Sequence, residues 1–387
     1  MDYLFSEEQV MIRDLARKIA DEKIRPVAAK YDESGEFPWD IMKVMSDSDM
    51  FGVYIEEKYG GLGGGVLELC IATEEFSKAC GGIAVCYAAS ALGTYPIALF
   101  GTDEQKKKYL PDLAKGKKIA AFGLTEASAG SDAGAMHTTA VKDGDSYVLN
   151  GTKQWITNGG EAEVYTIIAK TDKSKGSRGA SAFIVEKGTK GFEFGKKEDK
   201  LGIRASATRE LIFTDCSIPK ENLIAKEGLG FIVAMKTLDM SRPGVAAQAL
   251  GIAQGALDLA KEYAKTRKQF GQSISSFQGI QFMLADMATE IEASRALIYA
   301  TAKMIDSGAA NISKDSAMSK LFASDVCMKV TTNAVQIFGG YGYMRDYPIE
   351  KYMRDAKITQ IYEGTNQIQR GVIALNLIKE TASKDKK

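Results

Sequence analysis

Three short stretches carry most of the chemistry this chain could do. In IYEGTNQIQR (361–370) one carboxylate, Glu363, stands between an aromatic ring and a glycine where a polar helix opening begins. In FGLTEASAGSD (122–132) small residues let backbone approach a ligand closely, while Thr125, Ser128 and Ser131 supply hydroxyls and free amides able to hold a polar ring edge or a phosphate. In QWITNGG (154–160) Trp155 and Thr157 alternate with Ile156 on an expected strand. Same-face Trp and Thr offer a flat stacking surface beside a hydroxyl, which suits an isoalloxazine ring. Each stretch also has an ordinary reading: a solvated helix-capping Glu, a polar turn, and a half-buried Trp on a sheet face.

Other chemistries are disfavoured by composition. Lys plus Arg number 50 and Asp plus Glu number 50, so no net field draws the protein to nucleic acid or anionic membrane. The one histidine, His137, removes paired-His zinc motifs, has no evident nucleophile to serve and reads as structural; no metal site is expected. The five cysteines are scattered without a CxxC pair and are expected to be reduced and mostly buried. The N-terminal stretch lacks a basic segment followed by an apolar one, and no run of 18 apolar residues is read anywhere, so a soluble, cytoplasmic protein is expected.

The elements that must position these residues change texture twice along 387 residues. The first third reads as helices: Ser6 and Gln9 have capping-box spacing, Met11, Leu15 and Ile19 form an apolar stripe, and helical pattern recurs around 66–80 and 104–115. KYGGLGGG (58–65) is read as a loop rather than a phosphate cradle, and YPIALFG (95–101) as a second interruption. From about 120, short β-like runs alternate with turns. After EGLGF the helical period returns around 244–265 and 314–336, and in Met283, Met287 and Ile291; SRP (241–243) reads as a helix bend or boundary. The expected domains are 1–119, 120–228 and 229–387, with disorder only in the tail TASKDKK.

Joined with TRKQFG, QIFGGYGY and IYEGTNQIQR in the same order, these stretches resemble the acyl-CoA dehydrogenase family over essentially the whole chain, nearest its short-chain or butyryl-CoA members. One departure is visible: Ala127 stands where TEP is usual, which removes no functional atom. The resemblance implies an α+β multidomain fold, with an all-α N-terminal domain, a central β-barrel and a C-terminal four-helix bundle. It also implies FAD at a subunit interface of a homotetramer, a dimer of dimers.

Carried over position by position, the flavin contacts would be Phe122, Gly123, Leu124, Thr125, Gly130 and Ser131, with Trp155, Ile156 and Thr157, the last beside flavin N5. Arg267 and Gln278, together with Gln336, Ile337, Phe338, Gly339 and Gly340, would serve the pyrophosphate and adenosine ends, partly across a subunit boundary, with Phe270 a nearby FAD contact. Thr365, Asn366 and Gln367 complete the implied FAD set. Ser131, Asp239, Met240, Ser241 and Arg242 would face the CoA moiety, Gly364 would give the thioester room, and Tyr362 is a further implied substrate contact. The acyl pocket would be floored by residues 81–100, which carry no charge, with Tyr87 and Tyr95 limiting its depth.

Glu363 is the implied catalytic base for the α-proton, and its backbone N–H would help polarise the thioester oxygen. The position that carries the base in some members is Ser241 here, which cannot serve. The implied function is FAD-dependent conversion of a short, medium or alicyclic acyl-CoA to the 2-enoyl-CoA, with electrons passed to an electron-transferring flavoprotein. The alternative is an enoyl-CoA reductase running in reverse in an anaerobic complex, electron-bifurcating or not. A flavin-free interaction scaffold on the same fold is the reading of another class, marked by the lack of a yellow chromophore.

Overall fold

The structure is a computed structural model that describes residues 3–384. The capping box forms: the Gln9 amide donates to Ser6 Oγ at 3.2 Å and the Ser6 amide donates to Gln9 Oε1 at 3.0 Å, opening α1 (Glu7–Ile19). The inward face of α1 is half-buried Ile12 with buried Ala16 and Ile19, whereas Met11 and Leu15 of the expected stripe are exposed. With 3.6 residues per turn a strict i+4 series drifts around the axis, while the i, i+4, i+7 set keeps one face.

After α2 (Ala28–Ser34) and α3 (Trp39–Asp47), the glycine-rich stretch is a loop leading to α4 (Val66–Ala79), α5 (Gly81–Phe100) and α6 (Asp103–Ala114). No interruption occurs at YPIALF. Pro96 removes one helical N–H, and the burial of Tyr95, Pro96 and Ile97 holds α5 together across it. Contrary to the expectation of no such run, α5 is long and apolar enough to cross a membrane; most of it is buried, as in a core helix.

Helix α5 lies directly on β1 (Ala120–Gly123). Gly93 permits this, because a Cβ there would stand 2.5 Å from the Ala121 amide nitrogen. The remaining strands are β2 (Thr139–Asp143), β3 (Ser146–Thr157), β4 (Val164–Lys170), β5 (Ala180–Glu186), β6 (Phe192–Phe194), β7 (Thr208–Pro219) and β8 (Leu223–Ile224). They form one eight-stranded sheet in the order β6–β7–β3–β2–β4–β5–β8, with β1 parallel to β4.

Helices then return as α7 (Gly230–Thr266), α8 (Gln278–Asp306), α9 (Ser313–Phe338), α10 (Ile349–Ile358) and α11 (Asn366–Lys384), with a small hairpin of β9 (Lys268–Gln269) and β10 (Gln272–Ser273) after α7. SRP is not a boundary, since α7 runs through it. Pro243 leaves the Asp239 carbonyl without its helical donor, and Ser316 Oγ from α9 donates to it at 2.7 Å. One hydroxyl therefore compensates the proline and ties α7 to α9.

Two apolar cores form, one among the N-terminal helices and the sheet, the other among the C-terminal helices. Helix α4 belongs to both, through Leu69, Ala72 and Phe76 on one side and Val66, Leu67, Cys70 and Ile71 on the other. All five cysteines are free and buried, as expected. The tail is helical through 381–384, against expectation; the remaining residues of that stretch lie outside the described residues.

Candidate active site

A cavity of about 450 Å³ opens where the sheet meets α5, α7 and the turn before α11. Helix α5 contributes Val85, Ala88, Ala89, Leu92 and Tyr95, so that wall carries no charge. The sheet side contributes Phe122, Leu124, Thr125, Gly130 and Ser131, then Trp155, Ile156 and Thr157. Helix α7 adds Ser241, Arg242 and Gln248, and the turn adds Tyr362, Glu363 and Gly364. Residues 240 positions apart in sequence thus share one wall-to-wall space.

Glu363 owes its place to an unusual backbone. It adopts φ +50° and Gly364 φ +91°, two successive left-handed residues that reverse the chain between α10 and α11. Gly364 also has to be small, because a Cβ would lie 2.6 Å from Gln369 Nε2. That amide donates to the carbonyls of Glu363 at 3.1 Å and Gly364 at 2.9 Å, and Lys320 Nζ donates to the Gly364 carbonyl at 2.8 Å. Thr365 opens α11, its Oγ1 accepting from the Ile368 amide at 3.3 Å.

At the carboxylate itself, Ser241 Oγ donates to Glu363 Oε2. Burial pushes the Glu363 carboxyl above the usual range, and the Ser241 hydrogen bond with the Arg242 and Lys320 charges opposes this without cancelling it. Arg242 is ion-paired to Asp239 at 2.9 Å. A carboxylate so held, at the wall of a largely apolar space, is equipped to take a proton from a bound molecule.

The facing loop is pinned from beneath. Glu126 accepts from the amides of His137 and Thr138 at 2.6 and 2.9 Å and from Lys153 Nζ at 2.8 Å, while Lys153 also donates to the Leu124 carbonyl at 2.9 Å. Burial alone would raise Glu126, but Lys153 and the donors from 137–138 outweigh it and hold the carboxyl below its usual range. Burial pulls Lys153 down to about 8 against the attraction of Glu126. Ala127 is exposed on the outer side of this clamp, so its departure from the family pattern leaves the loop held.

Strand β3 does not alternate simply at Trp155. Its register against β7 shifts between Lys153 and Ile156, and Trp155 takes φ +57°. The bulge turns Trp155 outward at the cavity rim, 57% exposed, while Ile156 is buried and Thr157 half-buried.

Several expected site residues lie elsewhere. Tyr87 does not line the cavity; it is buried with its hydroxyl donating to the Met50 carbonyl at 3.0 Å. Tyr87 and Tyr95 are eight residues apart, which on a helix rotates them by roughly 80°, so only Tyr95 reaches the cavity wall. Asp239 is turned inward to Arg242 and Ser313, Met240 packs between the two cores, and Gly123 lies behind the wall in β1.

The Asn366 side chain is buried in bonds to Lys320, Ser324 and Asp325, whereas Gln367 is exposed. Arg267, Ile337, Phe338, Gly339 and Gly340 line a second, separate cleft, with exposed Phe270, Gln278 and Gln336 belonging to neither lining. Lys153, Lys320, Gln248 and Gln369 were not picked out from sequence. The small-residue face around Lys320 (Ser316, Ala317, Ser319, Ala323) is the one signal that marks its surroundings as buried.

The chain matches the acyl-CoA dehydrogenase N-terminal domain over residues 6–117, the middle domain over 121–216 and the C-terminal domain over 228–378. It is 52% identical over 375 residues to a short-chain specific acyl-CoA dehydrogenase of Clostridium acetobutylicum, covering 97% of this chain and 99% of that one. It is 50% identical over 381 residues to an acryloyl-CoA reductase (NADH) of Anaerotignum propionicum, covering 98% and 96%. A chain solved in work on the electron transferring flavoprotein of Acidaminococcus fermentans and flavin-based electron bifurcation superposes with a TM-score of 0.95 at 54% identity, covering 97% and 99%. With all three domains matched in order around the cavity just described, the chain belongs to the acyl-CoA dehydrogenase family, FAD-dependent oxidoreductases that act on CH–CH bonds.

Proposed function

We propose that this protein binds FAD and dehydrogenates a short, uncharged acyl-CoA to its 2-enoyl-CoA, with Glu363 as the base. The observation that carries the reading is the Glu363 carboxylate, raised by burial, facing a cavity whose α5 wall is uncharged. The residues present suit the cofactor: Trp155 offers an uncovered flat ring at the cavity rim, with the half-buried Thr157 and the hydroxyls and amides of 125–131 beside it. Bound FAD supplies the acceptor for the β-hydrogen as hydride.

The chain's own work is to hold the thioester so that its Cα–H meets Glu363, to take that proton, and to exclude water with the apolar wall. The Glu363 backbone N–H would donate to the thioester oxygen as negative charge develops there. Arg267, Phe270, Gln278 and the 336–340 cleft would hold the pyrophosphate and adenosine ends of a neighbouring subunit's FAD.

Substrate selection follows from the wall. A distal carboxylate placed among Val85, Ala88, Ala89 and Leu92 would be desolvated without a partner, and Arg242 is already committed to Asp239. The test is an anaerobic panel of acyl-CoAs and enoyl-CoAs with artificial electron acceptors and donors. Butyryl-CoA is expected to exceed glutaryl-CoA in kcat/KM by at least ~10²-fold, the loss of roughly 3 kcal/mol on stranding a charge. Equal turnover of the two would reject the assignment of the wall.

A pH effect tests the base. Glu363 acts only when ionised, so activity rises as pH climbs through its raised pKa. Ser241→Ala removes a donor that favours the ionised form, and the acidic limb of kcat/KM against pH is expected to move to higher pH. A limb that stays in place would argue that another group sets it.

The 50% identity to an acryloyl-CoA reductase favours a second reading, in which the same site runs as an enoyl-CoA reductase. The enoyl-CoA arm of the panel tests competence in that direction. An electron-transferring flavoprotein is the proposed partner in either direction, supported by the likeness to the Acidaminococcus fermentans chain. We place the protein as a cytoplasmic homotetramer, a state supported by the exposed apolar side chains of Leu375, Leu377 and Ile378 on α11. Light scattering of the purified protein tests the assembly.

A further inference from the structure

Lys320 is a buried charge that the reading above leaves without a task. It lies on α9 with no exposed surface, among Ser316, Ala317, Ser319 and Ser324, all fully buried. An ammonium is costly to bury unless its protons are bonded, and α9 presents here a face of small residues that leaves room for its long side chain. Its Nζ donates to two acceptors, the Gly364 carbonyl at 2.8 Å and Asn366 Oδ1 at 2.9 Å. Both belong to the turn that carries Glu363.

The surrounding bonds fix the turn at both ends. Asn366 Nδ2 donates to Ser324 Oγ at 2.9 Å and to Asp325 Oδ1 at 2.7 Å, which orients its oxygen toward the ammonium. Gln360 Nε2 donates to the same Asp325 oxygen at 2.7 Å, and the Asn366 amide donates to the Gln360 carbonyl at 3.0 Å. After α10 the chain is therefore tied to α9 at Gln360, swings out to Glu363 and is tied to α9 again at Asn366. Lys320 holds the middle of that swing.

We propose that Lys320 is a positioning residue for proton abstraction, holding the Gly364 carbonyl so that the left-handed Glu363–Gly364 pair presents its carboxylate to the acyl cavity. The proposal rests on Glu363 being the base. The groups facing Glu363 are Ser241 and Arg242 from α7 and Lys320 from α9; those facing Lys320 are Glu363, Arg242 and Asp325. Arg242 is balanced by Asp239, so Lys320 is the cation near Glu363 without an ion-pair partner among the described residues. Burial pulls Lys320 down to about 7, so below that pH it carries its proton and favours an ionised Glu363.

The experiment compares Lys320→Met, Lys320→Gln and Glu363→Gln, each loaded with FAD, in anaerobic flavin bleaching by butyryl-CoA from about pH 5.5 to 8.5, with thermal unfolding alongside. Lys320→Met is expected to bleach at least roughly tenfold more slowly at saturating substrate, with half-saturation changed less than about threefold, as a misplaced group reduces rate more than binding. Its acidic limb should move to higher pH. Lys320→Gln keeps a donor for the Gly364 carbonyl without the charge, so it should recover part of the rate while the limb stays displaced. If Lys320→Met is too unstable to purify, that displaced limb in Lys320→Gln carries the test. Wild-type rate and limb in the lysine variants, with Glu363→Gln inactive, would overturn the positioning role alone. A slow Lys320→Met with an unmoved limb and no recovery by Gln would reduce Lys320 to packing. Wild-type bleaching by Glu363→Gln would overturn both the base and this proposal.

Discussion

Glu363→Gln is expected to fold, stay yellow and bind acyl-CoA, while flavin reduction by substrate falls by at least the ~10²–10⁴ typical of a lost general base. Gln keeps the shape, and its backbone can keep the φ +50° turn that positions it. It lacks only the basic electron pair. Ser241 can still donate to the amide oxygen, so the local hydrogen bond need not be lost. Glu363→Asp should lie between, because the shorter arm withdraws the carboxylate by one methylene. Stopped-flow bleaching of the oxidised flavin band under anaerobic conditions reads this directly. Near wild-type bleaching by the Gln variant would assign the base elsewhere.

Lys153→Met is expected to cost about 3–5 kcal/mol of stability, the range for removing one partner of a buried ion pair. Lys153 has no exposed surface, and its loss leaves Glu126 with only the two amides of 137–138. The Leu124 carbonyl is stranded at the same time. Because these groups lie under the 122–132 loop, the loss should reach the cofactor as well, with FAD released on gel filtration under conditions where wild type retains it. Replacing both members, Glu126→Gln with Lys153→Met, should recover part of the stability, since the stranded charge is then absent. A single mutant with unchanged melting temperature and flavin content would show the pair to be dispensable.

The helix, sheet, helix order was legible because each part depends on local pattern: capping at Ser6, short β runs after 120, apolar period in α8. The motif stretches at 122–131, 155–157 and 362–364 also meet at one cavity. What stayed hidden depends on distant neighbours. Trp155 and Glu363 take left-handed backbone conformations that no local preference of Trp or Glu suggests. Lys153 and Lys320 were not picked out from sequence, because only the acceptors of the 122–132 loop and of the turn before α11 make their burial affordable. Pro243 and Pro96 read as breaks because the hydroxyl and the packing that sustain their helices lie elsewhere in the chain.

The uncharged helix α5 has a consequence for how the protein is made. Phe51 and Phe76 cover Tyr87 from the N-terminal side, but the rest of the helix's cover comes late: the Gly81 carbonyl that opens the helix is bonded by Gln248 Nε2, 167 residues further on, and β1 reaches Gly93 only after α6. At about 5–20 residues per second on the ribosome, that interval lasts on the order of ten to thirty seconds. Until then a segment with the length and hydropathy of a membrane span lacks its α7 cover. The yield of soluble protein is therefore expected to fall when translation is slowed between residues 100 and 250, which synonymous slow codons placed in that stretch would test.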